Sequence, residues 1–164
     1  MNDMLSHRYR GLKFPREFAE AWEETPDEMC RICNGVGSPT SWTYHLTPDT
    51  IWGLDITPVS DIHDWVYSYP LCRPWVVTDP DVGVIEFNSG EDYREYGDTM
   101  FFNNLITIIN NRGSWWLRFP RKIRAKTYYH VLRDMGEESF WHGKKREITD
   151  ISKEDVVYYK NGKQ

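Results

Sequence analysis

Four side chains in this sequence have the types and spacing of a hydrolytic site. In "PVSDIHDWVY" (58–67), His63 and Tyr67 stand four residues apart and Asp64 follows the histidine. Val59, Ile62 and Val66 form an apolar stripe at helical spacing, and His63 and Tyr67 fall on it. Further along, Asp98 lies three and four residues before Phe101 and Phe102, on the stripe of a second amphipathic stretch. A buried carboxylate without partners is costly. The conflict is resolved if the two helices pack face to face, so that Asp98 accepts hydrogen bonds from the His63 imidazole and the Tyr67 phenol. A carboxylate that holds a histidine in one tautomer is the orienting element of many hydrolytic sites. The free ring nitrogen then serves as a general base on water. The same residues also suit a satisfied polar cluster that fixes the angle between two core helices.

Asp64 points about 100° around the helix from His63 and cannot share that bond. It is expected to face the stretch 25–50 instead. There, in "CNGVGSP" (33–39), Gly35 and Gly37 let the backbone turn its carbonyls inward. A carboxylate with backbone carbonyls is a hard-oxygen site that suits Ca2+. Cys30 and Cys33 have C-x-x-C spacing, which raises zinc as an alternative. His45 and Cys72 are the available further ligands, but the spacing matches no common zinc finger, and reduced loop cysteines are the simpler reading.

The elements that must position these groups are mainly helical. Residues 1–14 read as an irregular, mobile arm. "PREFAEAWEE" (15–24) reads as a short helix with Phe18 and Trp22 four apart. Residues 25–50, rich in Gly, Pro, Ser and Thr, read as a long loop. A helix over 58–68 follows. In 70–90, "WVVT" and "VIEF" flank the turn "DPDVG", which predicts a β-hairpin insertion. A long amphipathic helix covers 91–113, with Phe101, Phe102, Leu105, Ile108 and Ile109 on its apolar side. A third helix is expected over 120–136, opened by Pro120, stopped by Gly136, with Ile123, Tyr128, Val131 and Leu132 facing inward. Ser152 to Asp155 suggests a last capped turn. "SWWLRFPRK" (114–122) joins two amphipathic helices, so Trp115, Trp116 and Phe119 are expected to plug the base of the core. The alternative is peripheral membrane contact through Trp115 and Trp116.

"SDIHDWVY" resembles the active-site helix of the secreted phospholipase A2 superfamily, with its histidine, adjacent calcium-binding aspartate and tyrosine four residues on. "CNGVGS" is similar to that superfamily's glycine-rich calcium loop, and Asp98 stands where its second long antiparallel helix supplies an aspartate to the histidine. Over much of the chain, "PDTIWGLDITPVSDIHDWVY", "DTMFFNNL" and "YYHVLRDMGEESFWHGK" also resemble a group of uncharacterised bacterial and prophage proteins. The resemblance implies a phospholipase A2-like fold: two long antiparallel core helices, a third helix, a Gly-rich loop and a small hairpin. It implies a lipid ester hydrolase in which His63 activates water, Asp98 orients it and Tyr67 supports it. It also implies Ca2+ held by Asp64 and by carbonyls near Asn34, Gly35 and Gly37. Val59, Ser60 and Val66 stand where the secreted enzymes carry cysteines, so that disulfide staple is missing. A phage or bacterial accessory protein that binds a protein partner on the same scaffold is the alternative.

The totals agree with one domain over 1–164. The chain is 40% hydrophobic and 15% aromatic, enough for a packed core. Its net charge of −5 argues against a general nucleic-acid binder. No apolar run reaches a membrane span, and the N-terminus lacks the apolar centre of a signal peptide. Three cysteines are too few for a disulfide framework, so a cytoplasmic location is expected.

Overall fold

In the computed structural model, residues 7–33, 49–68 and 75–147 are described. Asn34, Gly35, Gly37, His45, Cys72 and the Ser152 turn lie outside them. Five helices dominate: α1 (Arg16–Glu24), α2 (Pro26–Ile32), α3 (Thr57–Ser68), α4 (Gly90–Asn111) and α5 (Arg118–Glu147). Among the described residues two short antiparallel hairpins accompany them, β1–β2 (Thr50–Ile51, Leu54–Asp55) and β3–β4 (Trp75–Asp79, Gly83–Phe87).

The core is where the apolar stripes of α3, α4 and α5 meet. Val59, Ile62 and Val66 of α3 face Phe101, Leu105 and Ile108 of α4, all at most 4% exposed. The contacts run in opposite senses, His63 against Phe101 and Val66 against Gly97, so α3 and α4 are antiparallel. α5 returns antiparallel along α4, with Arg133 beside Glu91 and Tyr129 beside Phe102. The starts of α3 and α4 are capped. Asp55 accepts from the Thr57 N–H at 2.9 Å, and the Ser89 hydroxyl accepts from the Asp92 N–H at 3.1 Å.

The mainly helical architecture and the 75–87 hairpin are as expected. The hairpin docks on the body: Glu17 of α1 accepts from the Thr78 N–H and hydroxyl, and Tyr96 of α4 donates to Asp79 at 2.8 Å. Asp79 also closes the turn by accepting from the Asp81 and Val82 N–H groups.

Several expectations are corrected. The supposed loop 25–50 contains α2, which has Pro26 at its start, Asp27 and Glu28 in its first turn and Arg31 in its last. The loop-forming residues that follow masked those signals. The supposed arm is tied down from His7 onward. Tyr9 is 1% exposed, and Asn104 clamps the Lys13 backbone, accepting from its N–H at 2.9 Å and donating to its carbonyl at 2.7 Å. The β1–β2 hairpin turns on Trp52 and Gly53, both at positive φ, as a two-residue turn with the sheet's twist requires.

α5 neither starts at Pro120 nor stops at Gly136; it runs from Arg118 through to Glu147. Its inward face is Ala125, Tyr128 and Phe140, whereas Ile123 is 56% exposed. Trp115 and Trp116 belong to a 3-10 turn before α5, and with Phe119 they do not plug the core: they are 79%, 64% and 75% exposed. Among the described residues no helix is long and apolar enough to cross a membrane.

Candidate active site

Asp98 is the centre of the site. It is fully buried, and its Oδ1 accepts from His63 Nε2 at 2.9 Å and from the Tyr67 hydroxyl at 2.8 Å. The helical spacing of 63 and 67 makes both donors reach one oxygen. The rings of His63 and Tyr67 lie against each other, 4.1 Å between centroids, and Phe101 closes the other side of the imidazole at 5.1 Å. With Asp98 ionised, Nε2 carries the proton and Nδ1 keeps a free lone pair. Among the described residues Nδ1 has no hydrogen-bond partner, and the residue is 7% exposed.

The other carboxylate oxygen was not assigned partners by the helix argument. Oδ2 accepts from Arg133 Nη1 of α5 at 3.1 Å and, at 3.4 Å, from Arg94 Nη1 one turn earlier on α4. Glu91 accepts from both guanidiniums, at 2.7 Å from Arg94 Nη2 and 2.9 Å from Arg133 Nη2. Arg94 also donates to the carbonyls of Leu132 and Arg133, pinning α5 to α4. The spacing of Glu91, Arg94 and Asp98, at three and four residues, was the available signal for the α4 part of this network. Nothing local in the sequence marks Arg133, which comes from a different helix.

Three carboxylates, Glu91, Glu95 and Asp98, thus face the two guanidiniums, with Glu95 3.6 Å from Arg133 Nη2. Burial alone would push the Asp98 carboxyl up, but hydrogen bonds from His63, Tyr67 and Arg133 outweigh it and hold the group below the usual carboxylate range. Burial, and then the negative charge of Asp98, push the Tyr67 phenol well up, so it stays a donor.

Two glycines make room for this packing. A Cβ on Gly97 would lie 2.6 Å from Val66 Cγ1, and one on Gly136 would lie 2.7 Å from the Tyr67 hydroxyl oxygen. Gly136, which looks like a helix stop in the sequence, is instead the point where α5 crosses the site. Gly136→Ala is therefore expected to displace the Tyr67 hydroxyl from Asp98 and to cost about 1–3 kcal/mol, typical of overpacking. Chemical denaturation checks it. A variant as stable as the wild type would mean that α5 does not press on Tyr67.

Asp64 does stand apart from His63 and Asp98. Its carboxyl is pushed well up by burial, then by the negative charges of Asp61 and Asp49. The residue is partly exposed, but Oδ2 is sealed from solvent and has no hydrogen-bond partner among the described residues. Asp61, one turn earlier, is fully buried. Its Oδ2 accepts from Arg8 and Tyr9 at 2.5 and 3.0 Å, while Oδ1 is unpaired. Cys33 Sγ donates to the Asp61 carbonyl at 3.4 Å, and burial pushes its thiol up. Cys30 is exposed. Among the described residues no group of three His, Cys, Asp or Glu side chains could hold a metal.

A raised folded pKa means that the native state holds the Asp64 proton more tightly. Its contribution is favourable below the ordinary carboxyl pKa of about 3.9 and is lost as pH rises through the higher folded value. In metal-free buffer Asp64→Asn should thus stabilise the fold at pH 7 by on the order of 1–3 kcal/mol. The gain should shrink toward pH 4. Thermal melts at the two pH values read it, and a variant less stable than wild type at pH 7 contradicts it.

The cleft of about 230 Å³ between α1 and α2 contains no residue of this cluster. It is lined by Glu17, Glu20, Glu24 and Glu28 beside Met29 and Trp65, an acidic environment. Compared with protein-family profiles, with curated protein sequences and with solved structures, the chain matches none.

Proposed function

We propose that this chain is a histidine-dependent ester hydrolase of the phospholipase A2-like type, with lipid esters as its substrate class. The observation that carries this reading is the convergence of His63 Nε2 and the Tyr67 hydroxyl on one oxygen of Asp98, at 2.9 and 2.8 Å. It fixes the imidazole with Nδ1 free, the arrangement a general base requires. Nδ1 takes a proton from water as the water oxygen adds to the ester carbonyl. The resulting imidazolium is stabilised by Asp98. It returns the proton to the departing alkoxide as the carbon–oxygen bond breaks, giving acid and alcohol. No serine or cysteine nucleophile takes part.

Ca2+ belongs to the same proposal. The unpaired Oδ2 of Asp64 is a hard-oxygen ligand of the right kind, with the carbonyls near Asn34, Gly35 and Gly37 as its partners in the reading. When bound, the ion supplies positive charge to a developing oxyanion.

A second reading, a non-catalytic accessory protein, rests on a specific observation. Arg94 and Arg133 close the other side of Asp98, as in an ion network whose role is to lock three helices together. Turnover separates the two. Purified chain is mixed with a fluorogenic phospholipid and a soluble short-chain ester, with calcium or with a chelator. Hydrolysis supports the first reading, and none under any condition supports the second. Calcium-dependent thermal stabilisation that Asp64→Asn abolishes supports the metal site. Equal stabilisation of both proteins removes it.

A further inference from the structure

We infer that the start of α5 is a docking surface for anionic lipid bilayers. Three observations carry this. First, Trp115, Trp116, Phe119 and Ile123 are all more than half exposed. On the helix, 119 and 123 are one turn apart and point away from the buried face made by Arg121, Ala125 and Tyr128. Large rings concentrated on one unpartnered face mark an interaction site rather than ordinary surface.

Second, the charge is one-sided. From Ser114 to His130 there are five basic residues, Arg118, Arg121, Lys122, Arg124 and Lys126, and no acidic one, in a chain of net charge −5. Arg121 is buried; the other four are exposed around the apolar stripe. An anionic surface complements that arrangement, whereas the rest of the chain would repel it.

Third, the face is anchored. Arg121 donates to the carbonyls of Ile51 and Trp52 at 3.1 and 2.7 Å, fastening the first turns of α5 to the β1–β2 hairpin. The rings therefore project from a fixed platform. Two neighbouring exposed indoles suit the bilayer interface, where tryptophan is preferred. Lysine and arginine one turn on reach the headgroup phosphates while their stems lie along the acyl boundary. A globular partner would need a cleft to receive these rings. A single-stranded nucleic acid would use the same groups by stacking and phosphate contact, but the net acidic chain disfavours it.

The inference does not depend on hydrolysis, because it is read from binding alone. Full-length chain is mixed with vesicles of phosphatidylcholine, or of phosphatidylcholine and phosphatidylglycerol in equal parts, and sedimented. The expected result is capture by the phosphatidylglycerol vesicles only, weakened by salt and accompanied by a blue shift of tryptophan emission. The double variant Trp115→Ala, Trp116→Ala should bind at least about tenfold more weakly. Lys122→Glu with Lys126→Glu should weaken binding to the anionic vesicles as well. All these positions are exposed, so the variants should fold, which circular dichroism checks. Wild-type chain that stays in the supernatant, or a tryptophan variant that binds as well as wild type, overturns the proposal. So does an oligonucleotide bound in preference to the vesicles, or a wild-type dimer that the tryptophan variant converts to monomer.

Discussion

Asp98→Ala is expected to lower the stability of the fold by about 3–5 kcal/mol, the range for removing one partner of a buried ion pair. The loss is not a packing loss, since aspartate is small. It comes from the groups left behind. Arg94 is 4% exposed and would keep only Glu91 as a counterion, while His63 Nε2 and the Tyr67 hydroxyl would lose their acceptor inside the core. Asp98→Asn retains an acceptor for His63 and Tyr67 but offers no charge to the guanidiniums, so it should fall between alanine and wild type. The pH dependence has a definite sign. The Asp98 carboxyl sits below its ordinary range in the folded state, because hydrogen bonds from His63, Tyr67 and Arg133 outweigh burial. Its contribution is therefore present above the unfolded carboxyl pKa of about 3.9 and is lost as pH falls through the lower folded value. Wild type and Asp98→Ala should differ most near neutrality and converge in strong acid. Urea titrations across that range read the effect. A cost under about 1 kcal/mol at pH 7 would show that the network is not what holds the three helices together.

What the sequence made legible is the part governed by short-range periodicity. The α3 stripe carries His63 and Tyr67 on one face, the α4 stripe carries Asp98, and the cost of burying a lone carboxylate forces them to meet. The hairpin was visible because Asp79 and its turn sit between two β-prone runs. What escaped depends on tertiary contact. Arg133 reaches Asp98 from α5, and its distance along the chain carries no signal. Gly136 resembled a stop signal, whereas its lack of a side chain serves the approach of α5 to Tyr67. Trp115, Trp116 and Phe119 look like core residues in the sequence because they are apolar and lie between helices. Apolarity does not say which way a connector turns, and these rings face outward. The anchoring of Tyr9 by Asp61 was equally invisible, since it joins groups 52 residues apart.

His63→Gln is the second large effect. Glutamine can place its amide near Nε2 of the histidine and still donate to Asp98, so the helices keep their packing and the stability change should be small. It has no nitrogen able to take a proton from water. Loss of a general base costs about 10²–10⁴-fold in rate. The effect should fall on kcat, because the imidazole acts on water rather than on the bound acyl chain. Tyr67→Phe removes only the second donor to Asp98 and should cost less.

The most direct test of the account is therefore the hydrolysis rate of a fluorogenic phospholipid by wild type and His63→Gln, measured side by side with calcium present and with folding of both verified by circular dichroism. Turnover by the wild type is expected, with a rate lower by about 10²–10⁴-fold in the variant. Turnover that is unchanged in His63→Gln, or no turnover by a correctly folded wild type, would contradict it.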